Sequence, residues 1–89
     1  MSASALEKIQ HDDLALAVAR ALTAANEAAA AEGILLEESL VTISEEAPPP
    51  RRLWRVHYGP REYVSRRGGD LIVLIDEATS SVQRTVRGQ

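Results

Sequence analysis

Arginine and aromatic residues alternate in the segment 51–67, RRLWRVHYGPREYVSRR. Arginine forks pair with carboxylate or phosphate groups, and aromatic rings stack on bases or fill the pockets of a partner protein. This pattern predicts a binding surface. Its predicted partner-binding residues are Arg51, Arg52, Trp54, Arg55, Tyr58, Arg61, Tyr63, Arg66 and Arg67.

The distribution of charge narrows the choice of partner. Residues 1–50 hold nine acidic and two basic residues (−7), residues 51–89 hold eight arginines and four acidic residues (+4), and the net charge is therefore −3. The pI near 5.3 is well below the values above about 9 that are typical of nucleic-acid-binding domains. A protein partner is therefore favoured, with single-stranded nucleic acid as the alternative. The basic segment could also simply face the acidic half of the same chain.

Residues with catalytic or metal-binding potential are few. The chain has no cysteine, and its two histidines, His11 and His57, show none of the spacings of a metal site. His57 could act as an acid or base beside Glu62, although adjacency in sequence does not bring side chains together. Asp and Ser in the segment 76–81, DEATSS, are typical of a turn. The sequence predicts a non-enzymatic protein with no cofactor and no metal.

A long helix is predicted before these segments, over about residues 4–32. Ser4–Glu7 has the form of a capping box, and Gly33 is a typical C-terminal stop. An apolar stripe at helical spacing runs along it. The stripe consists of Leu14, Val18, Ala21, Leu22, Ala25 and Ala29.

Leu6, Ile9 and Leu16 project from the other side of this helix. Either the helix breaks near Gln10 and restarts at an aspartate cap, or it is continuous and its second apolar side meets another chain. The continuous helix is favoured because residues 10–13 contain no strong helix breaker.

Four strands are predicted from β-branched residues and alternation. They span about 38–45, 52–58, 71–76 and 81–87. Three prolines at 48–50 separate the first two, Gly59-Pro60 ends the second, and 61–67 is either a loop or a short strand. The predicted fold is α+β, a single domain over 1–89 with the helix packed on a three- to five-stranded antiparallel meander.

The strand in Gly68–Asp76, GGDLIVLID, is apolar on both faces. Either Leu71, Val73 and Ile75 or Ile72 and Leu74 face the helix, and one helix cannot cover both sets. Monomers rarely expose a large apolar patch, so a homodimer is predicted. Its predicted interface residues are Leu53, Ile72 and Leu74. The alternative is that residues 1–10 fold back over this face.

The helix, the strand with Trp54-Arg55-Val56 and the C-terminal GGDLIVLIDEATSSVQRTVRG together resemble the cystatin-like units of PepSY domains. The C-terminal hairpin is also similar to that of NTF2-fold immunity proteins. Asp76 and Thr79 match the Asp-x-x-Thr-Gly turn of these families, while Ser80 stands where glycine is usual.

The resemblance implies a non-catalytic module that binds or inhibits a protein. PepSY domains are usually exported or membrane-attached, whereas Met1–Ala5 has neither the basic nor the apolar region of a secretory signal. A cytoplasmic protein-binding module is therefore expected.

Overall fold

One long helix precedes four strands in the computed structural model, which describes residues 13–61 and 70–88. The helix is α1 (Asp13–Ala31), and the strands are β1 (Ser39–Ala47), β2 (Leu53–Pro60), β3 (Leu71–Asp76) and β4 (Ser81–Arg87). The strands form one sheet in the order β1-β2-β3-β4, each antiparallel to the next. The predicted α+β class and meander are confirmed.

The helix ends as the sequence predicts, at a glycine. Gly33 has a φ of +88°, a conformation that costs glycine little and other residues more. The N–H of Gly33 donates to the carbonyl of Ala30 and that of Ile34 to the carbonyl of Ala29, both at 3.0 Å, which is the Schellman arrangement. Whether residues 4–12 continue the helix lies outside the described residues.

Two predicted strand ends are wrong, and both strands are longer. β1 continues through Glu45 to Ala47 with an irregularity between them, because an edge strand tolerates charges and a bulge. β2 continues through Gly59 and Pro60. β3 pairs with β2 only as far as Tyr58, so among the described residues Pro60 has a neighbouring strand on one side alone, where its missing N–H is tolerated. The segment 62–67, either loop or strand in the prediction, lies outside the described residues.

Three alanines bring α1 onto one face of the sheet. Ala21, Ala25 and Ala29 are at most 2% exposed, and their small side chains let the helix axis lie close to the strands. The sheet supplies the large core residues beneath them: Trp54, Val56, Tyr58, Leu71, Val73 and Ile75. Leu71, Val73 and Ile75 therefore face the helix, while Ile72 and Leu74 point away. Leu14, expected in the apolar stripe, is 53% exposed.

The β3–β4 connection confirms the turn predicted for DEATSS. Asp76 Oδ1 accepts a hydrogen bond from the N–H of Ala78 at 2.9 Å, the side-chain-to-backbone bond that favours aspartate in turns. Ser80, at the position where the resembling families carry glycine, has a φ of +52°. This turn sets the register that places β4 beside β3.

Candidate protein-contact face

The side of the sheet turned away from α1, called here the outer face, mixes aliphatic and charged residues. The pairing of the strands sets His57 opposite Ile72 and Ile72 opposite Val86. Two residues further along β3, Leu74 lies between Arg55 of β2 and Arg84 of β4. Leu40, Thr42 and Ser44 of β1 also lie on this side, but the name outer face is kept for its residues on β2, β3 and β4. These are Leu53, Arg55, His57, Ile72, Leu74, Asp76, Arg84 and Val86.

The aliphatic residues of the outer face are only half-buried. They are Leu53, Ile72, Leu74 and Val86. Within residues 13–61 and 70–88, the one long helix packs on the opposite side, so no described element forms a second layer over these side chains. The three predicted dimer-interface residues, Leu53, Ile72 and Leu74, therefore share one face. Residues 1–10, the alternative cover, lie outside the described residues.

A histidine–carboxylate pair borders this aliphatic group. His57 Nε2 lies 2.9 Å from Asp70 Oδ2, and the two side chains are 24% and 22% exposed. Glu62, the partner considered from sequence, lies outside the described residues. The contact orients the imidazole at the border of the aliphatic group. Across the described part of the chain, no three histidine or acidic side chains are grouped as a metal would need.

Among residues 13–61 and 70–88, the predicted arginines do not converge on one surface. Arg55 lies on the outer face, whereas Arg52 lies at the end of the sheet on the helix side. Arg52 Nε is 2.7 Å from Glu45 Oε2, its Nη1 is 3.3 Å from Glu77 Oε1, and its guanidinium carbon is 5.4 Å from the centre of the Trp54 ring. Arg52 is therefore already matched by two carboxylates.

The two other predicted arginines that the structure describes lie at opposite ends of β2. Arg51 is exposed in the turn before β2, and Arg61, also exposed, donates from Nε to the carbonyl of Ser39 at 3.2 Å. Tyr63, Arg66 and Arg67 lie outside the described residues. Sequence reasoning overlooked Arg84, and a regular hairpin register would have set Gln83 opposite Leu74. The irregularity between Leu74 and Ile75 shifts the pairing by one residue and brings Arg84 there instead.

Trp54 and Tyr58 are not surface residues, and the prediction that they contact a partner is wrong. Trp54 is 6% exposed and Tyr58 is fully buried, because both alternate with Arg55 and His57 and so face the helix with Val56. The Tyr58 hydroxyl donates to Asn26 Oδ1 at 2.6 Å, and Trp54 Nε1 donates to Glu77 Oε1 at 3.0 Å. Burial raises the pKa of Tyr58 to about 12.

A polar cavity of about 390 Å³ lies at one end of the sheet. It is lined by Pro50, Arg51, Arg52, Asp76, Ala78 and Gln83. Glu45 and Glu77 lie close to Arg52, and Asp76 adds a further carboxylate. The cavity therefore lacks the excess of positive charge that would favour an anionic ligand.

Glu77→Ala should lower the free energy of unfolding by about 1–2 kcal/mol, because the buried indole N–H of Trp54 loses its acceptor. Urea denaturation followed by fluorescence would measure this, since Trp54 is the single tryptophan of the chain. Glu46→Ala is the matched control: Glu46 is exposed and has no ion pair among the described residues. Its expected effect is below about 0.5 kcal/mol. Equal losses for the two variants would contradict a role of Glu77 in holding Trp54.

None of the described helices combines the length and apolar character that crossing a membrane requires. No protein-family model matches the chain, and no significant match is found among curated proteins or solved structures. The resemblance to PepSY domains and NTF2-fold immunity proteins therefore stays a prediction.

Proposed function

We propose that this chain is a non-catalytic protein-binding module, of the inhibitor, immunity or adaptor type, that acts in the cytoplasm. Its contact surface is the outer face, and a second copy of the chain covers that face in a homodimer. The observation that carries this proposal is the group of half-buried aliphatic residues, Leu53, Ile72, Leu74 and Val86, on a face without a second described layer. Burial of such a group in an interface is favourable in proportion to the apolar area removed from water.

The charges of this face support a second copy as the occupant. Arg55 and Arg84 carry two positive charges, and Asp76 with the neighbouring Asp70 carries two negative charges, which sum to zero when His57 is neutral. A two-fold axis through such a face can bring each arginine of one copy to a carboxylate of the other. Arg55 is the member of the predicted arginine segment that contributes to this contact.

Binding of single-stranded nucleic acid has less support. Stacking on bases requires exposed aromatic rings, whereas Trp54 and Tyr58 lie in the core. The arginines also lack a common groove in the described residues, since Arg51 and Arg61 lie at opposite ends of β2.

Leu74→Arg should abolish the homodimer. The new cation would lie between Arg55 and Arg84, so dimerisation would bury like charges and lose an apolar contact at the centre of the face. We expect affinity to fall about 100-fold or more. Light scattering at about 50 mM and about 500 mM salt would give the mass, and an apolar contact predicts a dimer of the unsubstituted chain, twice 9.7 kDa, at both.

Two further variants make this experiment decisive. Leu35→Arg is the control, because Leu35 is 51% exposed and lies outside the sheet. It should leave the dimer intact. Leu74→Glu places a carboxylate between the two arginines, so it should fold even if Leu74→Arg does not, and it also removes the apolar contact. A monomeric unsubstituted chain at both salt concentrations, or a folded Leu74 variant that dimerises as tightly as the unsubstituted chain, would refute the homodimer.

A further inference from the structure

The sheet has two free edges among the described residues. β1 pairs with β2 alone, and β4 pairs with β3 alone. The outward backbone N–H and C=O groups of an edge strand can pair with a strand of another chain. Exposed aliphatic side chains lie along both edges: Leu40 and Val41 in β1 are 57% and 38% exposed, and Val82 in β4 is 41% exposed.

These edges carry opposite charges. β1 contains Glu45 and Glu46 and no basic residue, while β4 contains Arg84 and Arg87 and no acidic residue. Glu45 lies 2.7 Å from Arg52 and Arg87 lies 3.3 Å from Glu32, so Glu46 and Arg84 carry the charges of the two edges that no ion pair among the described residues matches. Opposite charges on neighbouring strands stabilise a pair of strands, and like charges oppose it. Pairing β1 with β1, or β4 with β4, would bring together strands of the same charge, whereas pairing β4 with β1 would match them.

The topology permits this pairing without rearrangement. Four successive antiparallel strands make β4 run opposite to β1. When the β1 strand of a second copy is added beside β4, the new pair is antiparallel and both helices stay on the same side of the extended sheet. Strand irregularities occur at Glu45–Ala47 and opposite Leu74–Ile75, so regular pairing would use residues 39–45 and 84–87.

We propose that β4 of one copy pairs with β1 of the next copy, so that the chain associates head to tail through its sheet edges. Such a contact joins two different surfaces, and therefore it closes into a ring or continues as an open chain of copies. This inference is independent of the outer-face homodimer, because backbone groups at the edges form the contact.

Charge reversal on each edge tests the proposal. Glu46→Lys and Arg84→Glu change exposed side chains that have no ion pair in the described part of the protein, so each variant should keep its fold. Because Arg84 also lies on the outer face, both variants are made in the Leu74→Arg background, where the outer-face dimer is lost. Each one then sets like charges against each other at the edges and should associate about tenfold more weakly than Leu74→Arg alone. An equimolar mixture should restore association, since alternating copies match the introduced lysine with the introduced glutamate at one junction and the native pair at the next.

Sedimentation velocity over a concentration series would measure these masses, with circular dichroism as the check on folding. Glu37→Lys is the control: it makes the same charge change outside β1 and should leave association unchanged. Leu74→Arg should still associate with increasing concentration, and this remaining association should weaken when Glu46→Lys is added. Unchanged association in both single variants, or a mixture that associates no better than its components, would overturn head-to-tail pairing and leave the outer-face dimer untouched.

Discussion

Replacing Ala25 with leucine should lower the free energy of unfolding by about 3 kcal/mol, near the upper end of the usual cost of overpacking a core. Ala25 is fully buried between α1 and the sheet, so a larger side chain can be accommodated only if the helix moves away from the strands. Movement of α1 would loosen the packing of Ala21 and Ala29 at the same time. A domain of this size is stabilised by roughly 5–10 kcal/mol, so the loss is a large share of the total.

Urea denaturation followed by circular dichroism would measure the effect, with Ala30→Leu as the matched control. Ala30 lies on the same helix but is exposed, and leucine is nearly as good a helix former as alanine. The control should therefore change the free energy of unfolding by less than about 0.5 kcal/mol. A similar effect of both substitutions would show that Ala21, Ala25 and Ala29 do not set the distance between helix and sheet.

Alkaline pH should destabilise the protein through Tyr58. Its folded-state pKa of about 12 is higher than the value of about 10 expected in the unfolded chain. The contribution of Tyr58 to the free energy of unfolding is fully present below about pH 10, where the tyrosine is protonated in both the folded and the unfolded state. It is lost as the pH rises through about 12. A difference of about two pKa units corresponds to a loss of about 3 kcal/mol.

Tyr58→Phe separates this titration from other effects of high pH. Without the hydroxyl, the variant should lose about 1–2 kcal/mol at neutral pH, because Asn26 Oδ1 loses its donor. Its stability should then vary less between about pH 9 and pH 12 than that of the unsubstituted protein. Urea denaturation at several pH values in this range would give both slopes. Equal slopes in the two proteins would show that another group controls the alkaline transition.

Local sequence patterns were sufficient for most elements of the fold. Residues 71–76 and 81–87 are strands as predicted, and Gly33 ends the helix, because alternation and glycine conformation act within a few neighbouring residues. The division of β2 into two faces, with Trp54, Val56 and Tyr58 on one of them, also follows from alternation. Sequence alone therefore determined the α+β class and, in β2 and β3, the sets of residues that share a face. In β4 the irregularity opposite Leu74 and Ile75 interrupts the alternation.

Only the tertiary structure decided which of those faces is the core. In a strand with aliphatic residues on both sides, the local sequence does not indicate which side will be buried. The close packing of the three buried alanines of α1 on Leu71, Val73 and Ile75 buries that side. The packing of α1 on this side of the sheet also buries Trp54 and Tyr58 and leaves Arg55 on the outer face. Strand pairing then brought Arg84 beside Leu74 and His57 to Asp70. These contacts join residues distant in sequence, and their energy comes from burial and pairing across strands, which no local pattern encodes.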